Sequence, residues 1–322
     1  MLNDLKSFLL NFNKVFKYLT FDFLKLIKRN LFYRKYLNHF NLNNLKKKFD
    51  FYVVSLDDSI YLLEEKDKNT YSREFQNKSN FDYYNSTADE RQKILIKHFV
   101  KKGDQVIDIG SHIGLYSLFL SKLVGKNGKV FCFEPQDNIR LKLKRNCTVN
   151  SVKNVKIFEC CVGKENGKTE FYEVDSNKIP EGTVNSSSIK NEKLDSEYFK
   201  DGYDIVIKEM RSLDSMFLDN PIKFIKIDTE GNEISILEGA KNLLEKYKPI
   251  ILFEFHSKRV KYLKTNLDFV EKSLLKNYEC FQILIDSKDE ILALKKTDFI
   301  ELGEYEGDII CFPKKSASEI IK

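Results

Sequence analysis

The sequence predicts an α/β fold built on a mostly parallel sheet with antiparallel edge strands, preceded by an N-terminal helical segment. Three observations carry that expectation. From about residue 105 onward, short apolar runs alternate with helical patterns. The runs are apolar throughout, as strands covered on both faces must be. All thirteen glycines lie at or after Gly103 and all five prolines at or after Pro135, so turn punctuation is confined to the part that would need it.

Each element follows from its local pattern. Strands are expected at 105–109, 129–133, 155–160, 223–228 and 249–255, and helices at 114–124, 136–149, 232–246 and 265–277. The late runs "CFQILI" (280–285) and "DIICF" (308–312) suit an antiparallel edge pair. Thr87 with Glu90 fits a capping box that opens a helix through about Lys101. "FYVVSLDDSIYLL" (51–63) reads as two short strands around Asp57-Asp58. The polar stretch Asp175 to Asp201 is weakly patterned and is expected to be a loop or lid over the site.

Residues 2–19 carry Leu2, Leu5, Phe8, Leu9, Phe12, Val15, Phe16 and Leu19 on one helical stripe. Residues 1–50 hold eleven Lys or Arg against three Asp, a balance of +8, which leaves −2 on the other 272 residues of a +6 chain. A uniformly basic nucleic-acid binder would not be divided in this way. Two readings of the segment stand: a peripheral anchor on an anionic membrane surface, or a helical pair packing on the catalytic domain or a partner subunit. The expected organisation is therefore a basic amphipathic segment at 1–50, connecting strands and loop at 51–85, and the main domain at 86–322.

No apolar run reaches the roughly 18 residues that span a bilayer, and no signal-peptide layout is present. The six cysteines show no Cys-x-x-Cys pair and are read as reduced core residues of a cytoplasmic protein, with the inner membrane face as the place where residues 1–50 would act. The four histidines fall in no ligand spacing with them, so no zinc site is expected.

Chemistry concentrates at "VIDIGSHIGLYS" (106–117), where an expected strand meets an expected helix. A dinucleotide loop started at Gly110 would need glycines where His112 and Leu115 stand, and no Gly-Lys-Ser/Thr follows for a phosphate loop. NAD and ATP are thereby disfavoured. Gly110 and Gly114 still permit a tight turn and close backbone approach. Glu134, twenty-four residues after Gly110 at the end of "KVFCFEP", is an acid placed to accept two ribose hydroxyls. The turn and this acid as a pair suit a ligand that has ribose hydroxyls but no phosphate, and S-adenosylmethionine meets that requirement.

The chain resembles the FkbM family of methyltransferases across about residues 86–256. The resemblance is carried, in order, by "VIDIGSHIGLYS", "GKVFCFEPQDN", "CCVGKENGKTEFYEV", "SSSIK", "RSLDSMF", "FIKIDTEGNEISILEGA" and "PIILFEFH". It implies a Rossmann-like class I methyltransferase fold, S-adenosylmethionine as cofactor and methylation of a glycan, glycolipid or polyketide-like acceptor. It further implies that Asp108, Gly110 and Gly114 line the methionine and ribose side, with Glu134 on the ribose and Cys161 and Val162 beside adenine. Ser111 and Pro135 complete that set. Ser111-His112 and Gln136 depart from the family's commonest wording, and His112 is read as a cofactor-side or acceptor-orienting contact. Cys161 reads equally as a core thiol.

For the reaction itself, alternation along "FIKIDTE" places Lys226, Asp228 and Glu230 on one side, and along "ILFEFH" it places Glu254 with His256. His256 or Asp228 is the expected base, since a hydroxyl acceptor must lose its proton as the new bond forms. No metal is expected, because a decisive ligand set is lacking, although Asp228 and His256 would suit a divalent ion. The competing class is a methyltransferase-like S-adenosylmethionine-binding or scaffold protein without turnover.

Overall fold

A computed structural model describes residues 51–56, 59–64, 88–174, 202–256, 269–285, 292–297 and 305–314. The amphipathic segment at 1–50, the proposed cap at Thr87 and the stretch 175–201 lie outside the described residues. In chain order the elements are β1 (Phe51–Leu56), β2 (Ser59–Glu64), α1 (Ala88–Phe99), β3 (Gln105–Ile109), α2 (Leu115–Val124), β4 (Lys129–Phe133), α3 (Asp137–Val149), β5 (Val155–Phe158), β6 (Cys161–Val162), β7 (Gly167–Val174) and β8 (Tyr203–Arg211). They continue with α4 (Leu213–Phe217), β9 (Ile222–Ile227), α5 (Glu233–Glu238), α6 (Lys241–Tyr247) and β10 (Ile250–His256). A π-helical turn (Val270–Leu274) then runs through α7 (Leu275–Asn277) into β11 (Tyr278–Ile285), β12 (Leu292–Lys296) and β13 (Glu306–Pro313).

The central sheet has eight strands in the order β12-β11-β13-β10-β9-β3-β4-β5. The five from β10 to β5 run parallel, and β13, β11 and β12 close one edge antiparallel. The strands between are apolar on both faces because both are covered. Ile107, Ile225 and Ile251 pack on one side, and Val106, Phe224 and Leu252 on the other.

Two departures from the expected pattern have local causes. The helix expected over 232–246 is two, α5 and α6, broken at Gly239-Ala240. A Cβ at Gly239 would sit 2.1 Å from the carbonyl oxygen of Gly163, so the chain must bend there to pass the turn after β6. The Asp214 carboxylate then accepts from the backbone N–H groups of Asn242 (3.0 Å) and Leu243 (2.8 Å) and restarts the helix. The second departure is a separate three-stranded sheet, β6-β8-β7, with no counterpart among the expected strands. Its outer face carries Ile205 and Ile207, both exposed, so burial does not write a clean alternation there.

The cysteines are also partly corrected. Cys280 and Cys311 form a disulfide, while Cys132, Cys147, Cys160 and Cys161 are free and buried. The two bonded residues are direct partners in the β11–β13 ladder, 31 residues apart in sequence, and that adjacency has no signature in linear spacing.

The hairpin β1-β2 docks on α3 through a fully buried side chain. Asn146 Oδ1 accepts from the Leu62 N–H (3.0 Å), and its Nδ2 donates to the Ile113 carbonyl (2.9 Å) at the turn before α2. Arg145 adds a bond to the Leu62 carbonyl (2.7 Å). Asn146→Ala would orphan two buried backbone groups, so we expect a loss of about 2–4 kcal/mol. Urea unfolding should show a lower midpoint, with faster amide exchange at Leu62.

Candidate functional site

The parallel register brings the carboxyl ends of β3, β4, β9 and β10 to one edge, where an α/β sheet places its ligands. Near that edge β3 carries Asp108, fully buried, whose Oδ2 accepts from Ser117 Oγ (2.5 Å). Burial pushes its carboxyl up, against the pull of the nearby Lys226 ammonium. Its other oxygen, Oδ1, is buried without a hydrogen-bond partner among the described residues. Ser111 ties the turn to both strands, donating to the Asp108 carbonyl (2.7 Å) and accepting from the Phe133 N–H (3.1 Å). Ser111 is therefore a buried structural strut of the loop.

Three left-handed residues shape this turn: Gly110 (φ 77°), His112 (φ 50°) and Gly114 (φ 97°). A Cβ at Gly110 would stand 1.7 Å from the Asp228 carbonyl oxygen, and one at Gly114 would stand 2.6 Å from Leu143. Gly110 thus permits the close approach of the turn after β3 to the chain leaving β9, and Gly114 the packing of α2 on α3.

Glu134 holds the other wall. Its Oε2 accepts from the His112 N–H and its Oε1 from the Gln136 N–H, both at 2.9 Å. Burial nevertheless pushes its carboxyl up to about 7, the two backbone bonds opposing. Pro135 carries the chain away beneath Arg140, which donates to the carbonyls of Glu134 (3.3 Å) and Pro135 (3.2 Å). The His112 imidazole is held neutral, its pKa lowered to about 4 by burial against the pull of Asp228.

Cys161 and Val162 form the short strand β6. The Cys161 thiol is pushed up to about 12 by burial, with Cys160 and then Glu134 adding to the effect, so it stays protonated beside that wall. Val162 lies in the main core cluster, and its carbonyl accepts from Asn232 Nδ2 (2.8 Å). Of this expected pair, Cys161 is the one electrostatically coupled to Glu134, while Val162 is a core residue.

The acid group lies across the turn from Glu134. Lys226, on β9 and directly paired with Asp108 on β3, donates to Asp228 Oδ2 at 2.9 Å. The Lys226 side chain is 6% exposed and that of Asp228 43%, so the ammonium is enclosed while the carboxylate opens outward. Burial tends to raise Asp228, but Lys226 and a hydrogen bond with Glu254 outweigh it and hold the carboxyl below its ordinary value. Oxygens of Asp228, Glu230 and Glu254 lie within 4.8 Å of one another. Glu254 comes from β10, as alternation predicts. Glu230 does not: β9 ends at Ile227, and Glu230 reaches the group through a left-handed turn at φ 61°. Glu233 builds that turn, its Oε1 accepting from Thr229 N (3.0 Å), Thr229 Oγ1 (2.9 Å) and Gly231 N (3.1 Å). His256 ends β10 opposite Glu306, and its side chain lies outside the described residues.

Sequence reasoning missed the support beneath Lys226. Its Nζ stands 4.3 Å from the centroid of the Tyr116 ring, a cation–π contact. Tyr116 donates its hydroxyl to Gln92 Oε1 (2.5 Å), and Gln92 Nε2 donates to Asp308 Oδ2 (2.5 Å). These residues come from α2, α1 and β13, so only the Tyr within "IGLYS" was signalled in a motif.

Gly110→Ala places a methyl group against the Asp228 carbonyl in a left-handed conformation. We expect a loss of about 2–4 kcal/mol in urea unfolding, against a change within about 0.5 kcal/mol for Gly167→Ala, where the surrounding space is open.

The pattern of the methyltransferase FkbM domain matches residues 108–280, more than half of the chain. A comparison with curated proteins gives no match. Among solved structures, the chain is similar to methyltransferase FkbM from Methylobacillus flagellatus KT, with 16% identity, a TM-score of 0.40, and 65% of this chain and 44% of that one covered. The chain thus spans less than half of that protein. It is also similar to a SAM-dependent O-methyltransferase from Thermotoga maritima (14% identity, TM-score 0.39, 85% and 81% covered). A Streptococcus mutans protein solved in complex with SAH is a third (12% identity, TM-score 0.40, 70% and 98% covered). With the glycine turn, the strand-end acid Glu134 and the Lys-Ile-Asp-x-Glu-Gly-x-Glu segment in one matched stretch, the chain belongs to the FkbM methyltransferase family.

Proposed function

We propose that the protein transfers a methyl group to a hydroxyl of a glycan, glycolipid or polyketide-like acceptor. The observation that carries this reading is the outward-facing Asp228 carboxylate, anchored by the enclosed Lys226 and set against the glycine turn. The residues around that turn fit the cofactor. Glu134 presents a carboxylate to ribose hydroxyls, and the orphaned Asp108 Oδ1 suits a positively charged ligand. No phosphate-binding lysine interrupts the turn. S-adenosylmethionine supplies, when bound, an electrophilic methyl group on a good leaving group.

The protein's task is then alignment and proton removal. Alignment of acceptor oxygen with methyl group is worth several kcal/mol. Asp228 accepts the hydrogen bond of the acceptor hydroxyl and takes its proton as the carbon–oxygen bond forms. Lys226 keeps that carboxylate ionised at neutral pH, and Glu254 supports it through a hydrogen bond. Neutral His112 lies between this group and Glu134, where it orients the acceptor.

Two outcomes follow. Asp228→Asn should cut turnover about 10²–10⁴-fold, with cofactor affinity within about threefold of wild type, measured by S-adenosylhomocysteine release and calorimetry. Near-wild-type turnover would remove Asp228 as the base. Glu134 has a raised pKa of about 7 and binds ribose as the ionised form, so cofactor affinity should strengthen as pH rises through that value. Calorimetry across about pH 6–8 should show this trend, and Glu134→Gln should flatten it while weakening binding.

A further inference from the structure

At the opposite end of the sheet, where β4 and β5 begin, the chain encloses an open cavity of about 950 Å³. That size suits a small organic ligand. Its lining contains five lysines, Lys122, Lys126, Lys129, Lys153 and Lys156, and no aspartate or glutamate. Beneath them lies an aromatic floor of Phe131, Phe158 and Phe217, with Phe131 and Phe217 centroids 4.7 Å apart and Phe158 edge-on to Phe217 at 6.1 Å. Lys156 Nζ already stands over Phe158, 4.8 Å from its centroid.

The wall is rigid. Asn154 Nδ2 donates to the carbonyls of Ser121 and Gly125, both at 2.9 Å, and its Oδ1 accepts from Ser121 Oγ at 2.6 Å. One lining hydroxyl, Ser151 Oγ, is buried without a hydrogen-bond partner among the described residues. Buried polar atoms are seldom left so, and a hydroxyl can donate to an anion.

The bland explanation of the lysines is compensation of helix dipoles, because α2 and α3 both end here. Each helix end amounts to about half a negative charge, so two ends call for about one lysine, and five are present. The surplus, the missing acids and the aromatic floor together select a ligand that is anionic at one end and apolar at the other.

We propose that this cavity binds a phosphate ester whose apolar or aromatic group covers the Phe131–Phe158–Phe217 floor while Lys126, Lys129, Lys153 and Lys156 hold the phosphate. The site is separate from the glycine turn, at the far end of the same strands, and does not depend on the methyl-transfer reading. The same chemistry is presented by a soluble phosphorylated metabolite and by the headgroup of an anionic lipid.

The test titrates the full chain by calorimetry with inorganic phosphate and phenyl phosphate, and by sedimentation with phosphatidylcholine vesicles with and without phosphatidic acid. Phenyl phosphate should bind more tightly than inorganic phosphate if the source is soluble, and phosphatidic acid vesicles should pull the protein down if it is a lipid. Either result supports the site, provided Lys153→Glu with Lys156→Glu weakens it about tenfold or more. Lys144→Glu with Lys168→Glu, an equal charge change on residues outside the lining, should leave it within about twofold. No binding of either probe, or equal loss in both double variants at unchanged melting temperature, would overturn the proposal.

Discussion

Where β3 ends, the chain turns at Gly110 directly against the carbonyl of Asp228, in a space that no side chain can enter. The Asp228 N–H in turn donates to the Ile109 carbonyl at 3.0 Å. This backbone contact between neighbouring strand ends is the constraint on which the rest of the site depends. It joins the glycine turn to the strand that leads into the acids, without an intervening side chain to flex. The same turn, through the His112 N–H, grips Glu134 after the next strand, so three strand ends are tied together by hydrogen bonds.

The electrostatics of this edge follow from enclosing charges that water would otherwise stabilise. Burying an unpaired ammonium costs several kcal/mol, and Lys226 is almost wholly enclosed. It is held by Asp228 on one side and by the Tyr116 ring on another, with Tyr116 itself fixed through Gln92 to Asp308. Asp228 is thereby kept ionised, while Glu134, which has backbone N–H partners but no adjacent ammonium as close, is pushed up by burial instead. Two carboxylates a few residues from one turn thus titrate in opposite directions.

The two ends of the parallel sheet differ in the same physical terms. At the carboxyl ends the acids outnumber the cations, which suits a positively charged cofactor. At the amino ends of β4 and β5 the lining is lysine-rich and acid-free over an aromatic floor. Helix α2 spans the two, its left-handed Gly114 at one end and its last turn, clamped by Asn154, at the other.

Much of this was legible in linear order. Apolar strands at fixed intervals and glycine-marked turns determined the parallel core, because covered strands must be apolar, and the motifs between them pointed to the cofactor class. The alternation on "FIKIDTE" likewise placed Lys226 and Asp228 together. Tertiary structure alone decided what depends on distant segments meeting. Glu230 enters the acid group through a left-handed turn wrapped on Glu233, the helix after it breaks because Gly239 must pass Gly163, and Cys280 finds Cys311 across a ladder. The support of Lys226 by residues of α1, α2 and β13 belongs to the same set. Periodicity records which face of an element is covered; it carries no record of which other element covers it, and that is where charge, strain and cross-links are settled.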